Sequence, residues 1–219
     1  MRAFDTALFD LDGTIIDSIR LILDSYHHTL QAHRRPAQSD DAWLRGIGTP
    51  LSAQLAEFAE GPDDLEAMVA TYREYNLRHH DASVVPYQGV AEVIRALRAD
   101  GYRMGLVTSK NRNGTMRGLA LAGIAEAFDV LVCADDVEHP KPHPEPVIKA
   151  LAHLGSTPAA TMFIGDSVHD MECGRQAGVA TAAVLWGPFG RRDLAPAAPD
   201  YWLETPEDLA RLLLPRPSP

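Results

Sequence analysis

The sequence contains few cysteines for its length. Its 219 residues include only Cys133 and Cys173, which lie far apart and show no CxxC or Cys/His spacing. This pattern predicts neither a structural zinc site nor a dithiol redox site. We therefore interpret both cysteines as small, buried hydrophobic residues.

Long apolar runs are also missing from the sequence. No stretch approaches the roughly 18 consecutive apolar residues that a membrane span requires. The N-terminal segment MRAFDTALFD carries acidic residues where a signal peptide needs an uninterrupted apolar segment. We therefore expect no membrane partner and a cytoplasmic location.

Positive charge is scarce, because 20 lysine and arginine residues face 30 acidic residues and the formal net charge is −10. The basic clusters at residues 33–35 and 191–192 are short and isolated, so we expect no nucleic-acid partner. If the substrate is an anion, so acidic a chain needs a local positive site to bind it. A bound cation and a few placed hydrogen-bond donors are the simplest way to build one.

The apolar residues, 46% of the total, suffice for a complete core. Helical periodicity over residues 90–97 and 147–154 lies between short apolar runs that predict buried strands. The motif TPED at residues 205–208 predicts the start of a final helix. This alternation predicts an α/β fold, a Rossmann-like parallel sheet flanked by helices. The predicted strands are residues 6–10, 102–108, 130–134, 161–165 and 181–186.

One block interrupts the alternation of strands and helices. Residues 15–83 show helical periodicity only, as in the spacing of Ile19, Ile22, Tyr26 and Leu30. The block is too long for a single crossover between strands. We interpret it as a helical cap domain inserted into an α/β core domain formed by residues 1–14 and 84–219.

Polar side chains follow four of the predicted strands. In an open parallel sheet, ligands bind beyond the carboxyl ends of the strands, so these side chains should meet at one edge. Asp10 and Asp12 follow the first strand in FDLDGT, and two such crowded acids favour a hard divalent cation with oxygen ligands. The later strand ends supply Thr108 and Ser109, then Lys141, then Asp166 and Asp170.

A nucleophilic carboxylate, a second acid, a hydroxyl, a lysine and a further acid pair are the groups that phosphoryl transfer requires. The prolines on both sides of Lys141 restrict the backbone and would thereby orient its long side chain. Two alternatives stay open at this point. Ser109 competes with Thr108 for the hydroxyl role, and Asp170 is also placed to cap a helix.

The motifs resemble those of the haloacid dehalogenase superfamily, specifically its Mg²⁺-dependent phosphatases of the phosphoglycolate phosphatase type with a helical C1-type cap. The resemblance covers nearly the whole chain. Each motif alone is a weak signal, whereas four in this order at strand ends are specific. The matching stretches are FDLDGT at residues 9–14, VTSK at residues 107–110, Lys141-Pro142, and GDSVHD at residues 165–170.

The resemblance implies a covalent mechanism. Asp10 would attack phosphorus to form an aspartyl-phosphate, while Asp12 would protonate the leaving oxygen and later activate water. Thr108 and Lys141, with Ser109, would hold the phosphate oxygens.

The resemblance also implies that Mg²⁺ is the cofactor. Asp10, the backbone carbonyl of Asp12 and Asp166 would bind it, with Asp170 either as a further ligand or behind the ligands. The expected partner is a small phosphorylated metabolite, and the chain would act as a monomer or homodimer.

The residues narrow the choice within this superfamily. Phosphonate hydrolases use a cap lysine, which residues 15–83 lack, and dehalogenases lack the second acid that Asp12 supplies. We expect a phosphoglycolate-like substrate. Inorganic pyrophosphate, nucleotides, sugar phosphates and phosphomutase activity stay open, because a few cap residues decide the substrate. Arg45 and Thr49 in LRGIGTPL are the candidate cap contacts, although ordinary loop chemistry explains this glycine-rich stretch equally well.

A receiver-like signalling module is the alternative from another class. It also places an acid pair, a hydroxyl and a lysine on a parallel sheet, and it would accept a phosphoryl group without turning over small substrates. Such a module should be much shorter and lack the insertion at residues 15–83. The length of the chain therefore favours an enzyme.

Overall fold

A computed structural model describes residues 3–214, so the last five residues of the predicted core domain, 215–219, lie outside the described part. Every helix within residues 3–214 is too short or too polar to span a bilayer. The strands are β1 (Thr6–Phe9), β2 (Ile16–Asp17), β3 (Val85–Pro86), β4 (Arg103–Val107), β5 (Val130–Val132), β6 (Thr161–Gly165), β7 (Ala180–Val184) and β8 (Tyr201–Leu203). The helices are α1 (Ile19–Ala32), α2 (Asp40–Leu44), α3 (Leu51–Ala56), α4 (Pro62–Ser83), α5 (Val90–Ala99), α6 (Arg112–Leu121), α7 (Glu145–Leu154), α8 (Val168–Ala177), α9 (Arg191–Leu194) and α10 (Pro206–Leu213).

The main sheet contains six parallel strands in the order β5-β4-β1-β6-β7-β8. In the middle of this sheet, Phe9 of β1 is paired with Leu106 of β4 and Ile164 of β6. All four residues of β1 are buried, as expected for a parallel strand covered on both faces. The predicted α/β class is confirmed, and the carboxyl ends of β4, β1 and β6 lie side by side.

The sequence predicts five of these six strands, with ends that differ from the structure by at most two residues. The edge strand β8 is missing from the prediction because its apolar run is only three residues long between Asp200 and Glu204, whereas each predicted strand lies in a run of at least five residues. The final helix follows Thr205, and Pro206 is its first residue, as the TPED motif predicts.

Two apolar clusters cover the two faces of the main sheet. Along β1, Ala7 and Phe9 belong to one cluster and Leu8 belongs to the other, which is the alternation that a strand imposes on its side chains. Both cysteines are buried and unpaired, so the interpretation of Cys133 and Cys173 as buried hydrophobic residues is confirmed.

Helices α1–α4 form a bundle around an apolar cluster of their own. The rings of Tyr26 and Trp43 stack at the centre of this cluster with their centroids 4.0 Å apart. The short strands β2 and β3 pair antiparallel where the chain leaves the main sheet and where it returns. The bundle thus has a separate core, while the exact division at residues 15 and 83 stays a prediction.

Polar contacts of Arg117 and Ser109 are among those that join the bundle to the sheet layer. Arg117 of α6 forms a two-point ion pair with Asp81 of α4, at 2.8 and 2.9 Å. Ser109, just after β4, donates a 2.6 Å hydrogen bond from Oγ to the carbonyl of Gly48, in the loop between α2 and α3. These contacts hold the bundle over the carboxyl ends of the strands.

Candidate active site

Asp10 lies directly after β1, at the carboxyl edge of the sheet. Its amide donates a 2.9 Å hydrogen bond to the carbonyl of Ile164, which extends the ladder between β1 and β6 by one residue. The residue is only 5% exposed. The central strand therefore fixes this carboxylate in a buried position.

Lys141 is buried beside Asp10, although it comes from a proline-rich loop between β5 and α7. Its Nζ lies 3.0 Å from Oδ1 of Asp10 and donates to Oδ1 of Asp170 at 2.6 Å. Burial lowers the pKa of Lys141, but the two carboxylates more than offset this, so the pKa is raised above its ordinary value. The ammonium group consequently stays charged in a buried site.

Asp170 and Ser167 form a reciprocal cap at the start of α8. The amide of Asp170 donates to Oγ of Ser167 at 3.2 Å, and the amide and hydroxyl of Ser167 donate to Oδ2 of Asp170 at 3.0 and 2.6 Å. The helix cap is therefore Ser167, and Asp170 is its capping-box partner three residues later, which corrects the helix-cap interpretation of Asp170. Both oxygens of Asp170 are engaged, one by Ser167 and the other by Lys141.

The two carboxylate oxygens of Asp166 differ in their contacts. Its Oδ1 accepts a 2.9 Å hydrogen bond from Thr14, whereas Oδ2 is buried without a hydrogen-bond partner among the described residues. Gly13, at a φ of 81°, lies against this carboxylate, and a Cβ there would come within 2.4 Å of Oδ2. Burial, together with the negative charges of Asp170 and Asp10, holds the pKa of Asp166 well above its usual range.

The carboxylate groups of Asp10, Asp166 and Asp170 place ligand oxygens within 4.8 Å of one another. Burial raises the pKa of Asp10 to about 7 against the opposing effect of Lys141, and Asp170 adds to the rise. Crowded, buried carboxylates with an unpaired oxygen are the donor set of a hard divalent cation. Because Asp170 is engaged on both oxygens, Asp10 and Asp166 are the side chains that fit such a cation.

Asp12 has partners that the sequence prediction does not include. Its Oδ1 accepts hydrogen bonds from Oγ of Ser18 at 2.5 Å and from Nζ of Lys110 at 2.7 Å. Lys110 is the last residue of the VTSK motif, and its position just after β4 is the feature of the sequence that could have indicated a place in the site. Ser18 has no motif around it, and only the fold of the β2 segment brings it to Asp12.

The two hydroxyl residues after β4 differ in their contacts. Thr108 is buried, and its amide donates to the carbonyl of Val132 at 2.9 Å while its Oγ1 accepts from the amide of Lys110 at 3.1 Å. Ser109 is used for the contact with Gly48 in the helical bundle. Thr108 thus belongs to the sheet edge, and Ser109 connects that edge to the bundle.

A cavity of about 160 Å³ lies between the sheet edge and the helical bundle. Two carboxylates and three cationic side chains contribute to its lining, together with uncharged polar groups from the bundle. The sheet side supplies Asp10, Asp12, Thr108, Ser109, Lys110 and Lys141, and the bundle side includes Tyr26, Thr49, Gln54, Arg73 and Asn76.

The structure separates the two predicted cap contacts. Thr49 lines the cavity, whereas Arg45 is exposed and outside the lining of this cavity. Arg73 of α4 is instead the arginine that reaches the cavity from the bundle. The surrounding sequence, TYREYN, is ordinary for a helix and carries no motif, so the sequence gives no signal for Arg73.

Comparison with known proteins identifies the family. Residues 7–184 match the family model described as haloacid dehalogenase-like hydrolase. The chain belongs to this family. The match confirms the resemblance inferred from the four motifs and favours an enzyme over a receiver-like module.

Curated relatives of this hydrolase include Pyrophosphatase PpaX of Anoxybacillus flavithermus, which is 41% identical over 209 residues, covering 95% of this chain and 96% of the relative. Pyrophosphatase PpaX of Halalkalibacterium halodurans is also 41% identical, over 94% of each chain. A haloacid dehalogenase-like hydrolase from Bacteroides fragilis has a similar structure, with a TM-score of 0.86, 26% identity, and 94% of this chain and 99% of that one covered. A predicted phosphoglycolate phosphatase from Haemophilus somnus also has a TM-score of 0.86, with 25% identity and coverage of 97% and 99%. The hydrolase is a phosphatase of this family.

Replacing the carboxyl group of Asp166 by an amide is expected to stabilise the hydrolase in EDTA and to remove any stabilisation by added Mg²⁺. Asparagine keeps an acceptor for the Thr14 hydroxyl, whereas the buried carboxyl of Asp166 must either bind a proton or carry a buried charge. Asp166→Asn should therefore raise the melting temperature in EDTA, by about 2–4 °C for each kcal/mol of relieved repulsion. Calorimetry with and without Mg²⁺ measures both effects, since a ligand stabilises the state that binds it.

Because the pKa values of Asp10 and Asp166 are raised, the difference in stability between the wild type and Asp166→Asn should depend on pH. A carboxyl with a higher pKa in the folded state favours folding at low pH, and this contribution is lost as pH rises through the folded value. The metal-free wild type should thus lose stability between a pH of about 4 and the pKa of Asp10, about 7. Asp166→Asn should lose less over this range, and the exposed Asp63→Asn should behave as the wild type. Identical melting curves for Asp166→Asn and the wild type would contradict the assignment.

Proposed function

We propose that this hydrolase is a Mg²⁺-dependent phosphatase that works through an aspartyl-phosphate on Asp10, with inorganic pyrophosphate as its preferred substrate. The observation that carries the proposal is the arrangement of Asp10, Asp166 and Lys141, with Asp10 and Lys141 at the wall of a small cavity. This arrangement places a buried carboxylate, a fixed positive charge and an unpaired acid in one site.

Asp10 is the proposed nucleophile, since its carboxylate is both buried and fixed by the central strand. Lys141 holds Oδ1 of Asp10 at 3.0 Å and offers its charge to the oxygens of the transferring phosphate. Thr108 would donate to the same oxygens. Asp170 holds Lys141 in place rather than touching the phosphate.

Asp10, Asp166 and the backbone carbonyl of Asp12 are the proposed ligands of Mg²⁺. When bound, Mg²⁺ supplies positive charge that neutralises phosphate oxygens and favours the ionised form of the buried carboxylates. Thr14 keeps Asp166 oriented by its hydrogen bond to Oδ1, which leaves Oδ2 available.

Asp12 is the proposed proton carrier. It lines the same cavity two residues after Asp10, and Ser18 and Lys110 fix the orientation of its Oδ1. From this position it can protonate a leaving oxygen and then take a proton from the water that attacks the aspartyl-phosphate. The bundle of residues 15–83 would act as the cap that excludes bulk water during these steps.

Two observations support pyrophosphate as the substrate. Relatives that are 41% identical over about the whole chain carry the name pyrophosphatase. The cavity also contains Lys110 and Arg73 in addition to Lys141, and a phosphate leaving group carries more negative charge than glycolate.

Phosphoglycolate, the substrate expected from the sequence, is the second candidate. The structural neighbour from Haemophilus somnus is described as a predicted phosphoglycolate phosphatase, and its chain is covered almost completely by the match. The cations that would bind a leaving phosphate would also accept the glycolate carboxylate. Only a direct comparison of substrates separates the two candidates.

Initial rates with a panel of phosphate compounds test this ranking. With Mg²⁺, we expect kcat/KM for pyrophosphate to exceed that for phosphoglycolate, a nucleoside monophosphate and a sugar phosphate by roughly tenfold or more. Colorimetric phosphate release measures every member of the panel. A higher kcat/KM for phosphoglycolate would reverse the ranking while leaving the phosphatase mechanism intact.

The two acids of the FDLDGT motif should differ when each is replaced by asparagine. Asp10→Asn should abolish turnover and phosphoenzyme formation, because an amide does not form the acyl-phosphate. Asp12→Asn keeps the nucleophile and loses the proton carrier, so kcat should fall by about 10²–10⁴-fold. Acid-quenched protein, analysed by mass spectrometry for a phosphorylated aspartate, distinguishes the two. Phosphorylation of Asp10→Asn at the wild-type level would refute the assignment of Asp10 as the nucleophile. The exposed Asp63→Asn serves as the control.

Alanine variants of Arg73 and Arg45 test which arginine of the bundle contacts the substrate. Arg73→Ala should raise KM for pyrophosphate by about tenfold with little change in kcat, because it removes a charge that binds the ground state and the transition state alike. Arg45→Ala should leave both constants unchanged, since its side chain is exposed and outside the cavity lining. The opposite pattern would restore Arg45 as the cap contact and remove Arg73 from the site.

A further inference from the structure

His139, His143 and Glu145 form a compact cluster on the loop before α7 and on its first residue. One ring nitrogen from each histidine and one carboxylate oxygen of Glu145 lie within 4.8 Å of one another. Both histidines are exposed and Glu145 is partly buried, in contrast to the buried carboxylates of the active site. None of the proposed steps of hydrolysis uses these three side chains.

The carboxylate of this cluster is held in place by its surroundings. Oε2 of Glu145 accepts a 2.9 Å hydrogen bond from the amide of His139 and also lies 2.9 Å from Nδ1 of His139. Oε1 accepts from the amide of Glu138 at 3.1 Å and lies 3.0 Å from Nζ of Lys149. These contacts orient the carboxylate before any ligand arrives. A metal between Oε2 of Glu145 and Nδ1 of His139 would replace the contact between these two atoms, which distinguishes Glu145 from Asp170, whose partners Lys141 and Ser167 are not proposed ligands.

The two imidazole rings face this carboxylate. Their centroids lie 4.7 Å apart with the planes inclined by 35°. Nδ1 of His143 accepts a 3.2 Å hydrogen bond from the amide of Glu145, so this nitrogen carries no proton, and a bound metal would take the place of the amide on its electron pair. Nδ1 of His139, facing a carboxylate oxygen, carries a proton in the arrangement described here. Two ring nitrogens and one carboxylate oxygen therefore lie within 4.8 Å of one another at the surface.

We propose that His139, His143 and Glu145 bind a transition-metal dication of the Zn²⁺ class, at a site separate from the acidic pair Asp10 and Asp166. Imidazole nitrogens with a carboxylate suit Zn²⁺, Co²⁺ or Ni²⁺, whereas Mg²⁺ prefers oxygen ligands only. Binding forms a bond from the metal to Nδ1 of His139, and the proton of that nitrogen is exchanged through solvent for one on Nε2, so that the ring stays neutral. Water completes the coordination shell of a site with three protein ligands.

The site joins the two ends of the loop that carries Lys141. A metal bound to His139 and Glu145 would tie the start of this loop to the first turn of α7. Because the metal binds the folded arrangement and not the unfolded chain, we expect it to raise the melting temperature in a concentration-dependent way.

Titration of Zn²⁺ into the full chain in saturating Mg²⁺ tests the site, because Mg²⁺ occupies oxygen-only ligands. We expect calorimetry to show one Zn²⁺ bound per chain. Co²⁺ in place of Zn²⁺ should give a visible absorption spectrum with nitrogen ligands. His139→Gln and His143→Asn should each weaken binding by at least about 10–100-fold and abolish that spectrum.

The variants are chosen so that a structural defect is distinguishable from a lost ligand. Asparagine at position 143 can still accept from the Glu145 amide, so the start of α7 keeps this contact. His153→Gln, which removes an exposed histidine from the last turn of α7, should bind Zn²⁺ as the wild type does. Equal Zn²⁺ affinity for the wild type, His139→Gln and His143→Asn would overturn the proposal. A loss of binding in Asp166→Asn alone would assign the ion to the acidic pair and overturn it equally.

Discussion

The buried ion pairs of Lys141 with Asp10 and Asp170 are the interaction on which the rest of the site depends. The three groups come from three separate parts of the sheet edge: the end of β1, the loop after β5 and the first turn of α8. Removing one partner from such a group leaves an uncompensated buried charge, which costs about 3–5 kcal/mol. The ion pairs therefore favour one relative placement of these three segments, and that placement creates the cavity wall.

One lysine does not balance the acids around it. Asp10, Asp166 and Asp170 bring three carboxylates together, and an oxygen of Asp166 has no hydrogen-bond partner among residues 3–214. This imbalance explains how a chain of net charge −10 can handle an anionic substrate. The surplus of buried acid favours a cation, and the cation in turn makes the site attractive to phosphate. Burial raises the pKa of Asp10, and a bound cation would offset this effect.

The proposed mechanism assigns the chemistry and the selection of the substrate to different layers of the molecule. The proposed reacting groups belong to the ends of strands in the parallel sheet, whereas the helical bundle supplies the opposite wall of the cavity through side chains such as Thr49 and Arg73. Contacts that include those of Ser109 and Arg117 join the two layers. A layer attached in this way can vary its lining residues without disturbing the sheet, which is why family membership fixes the reaction class more firmly than the substrate.

The sequence alone determined the fold class, five of the six strands of the main sheet and the set of acids, hydroxyls and lysine at their ends. Those features are local: a strand period, a proline or glycine near an end, and short motifs such as GDSVHD. Only the tertiary structure decided which side chains meet. It showed that Asp170 holds Lys141, that Lys110 reaches Asp12, and that Arg73 rather than Arg45 lines the cavity. Such pairings depend on the direction of each side chain and on packing between distant segments, and neither leaves a periodic trace in the sequence.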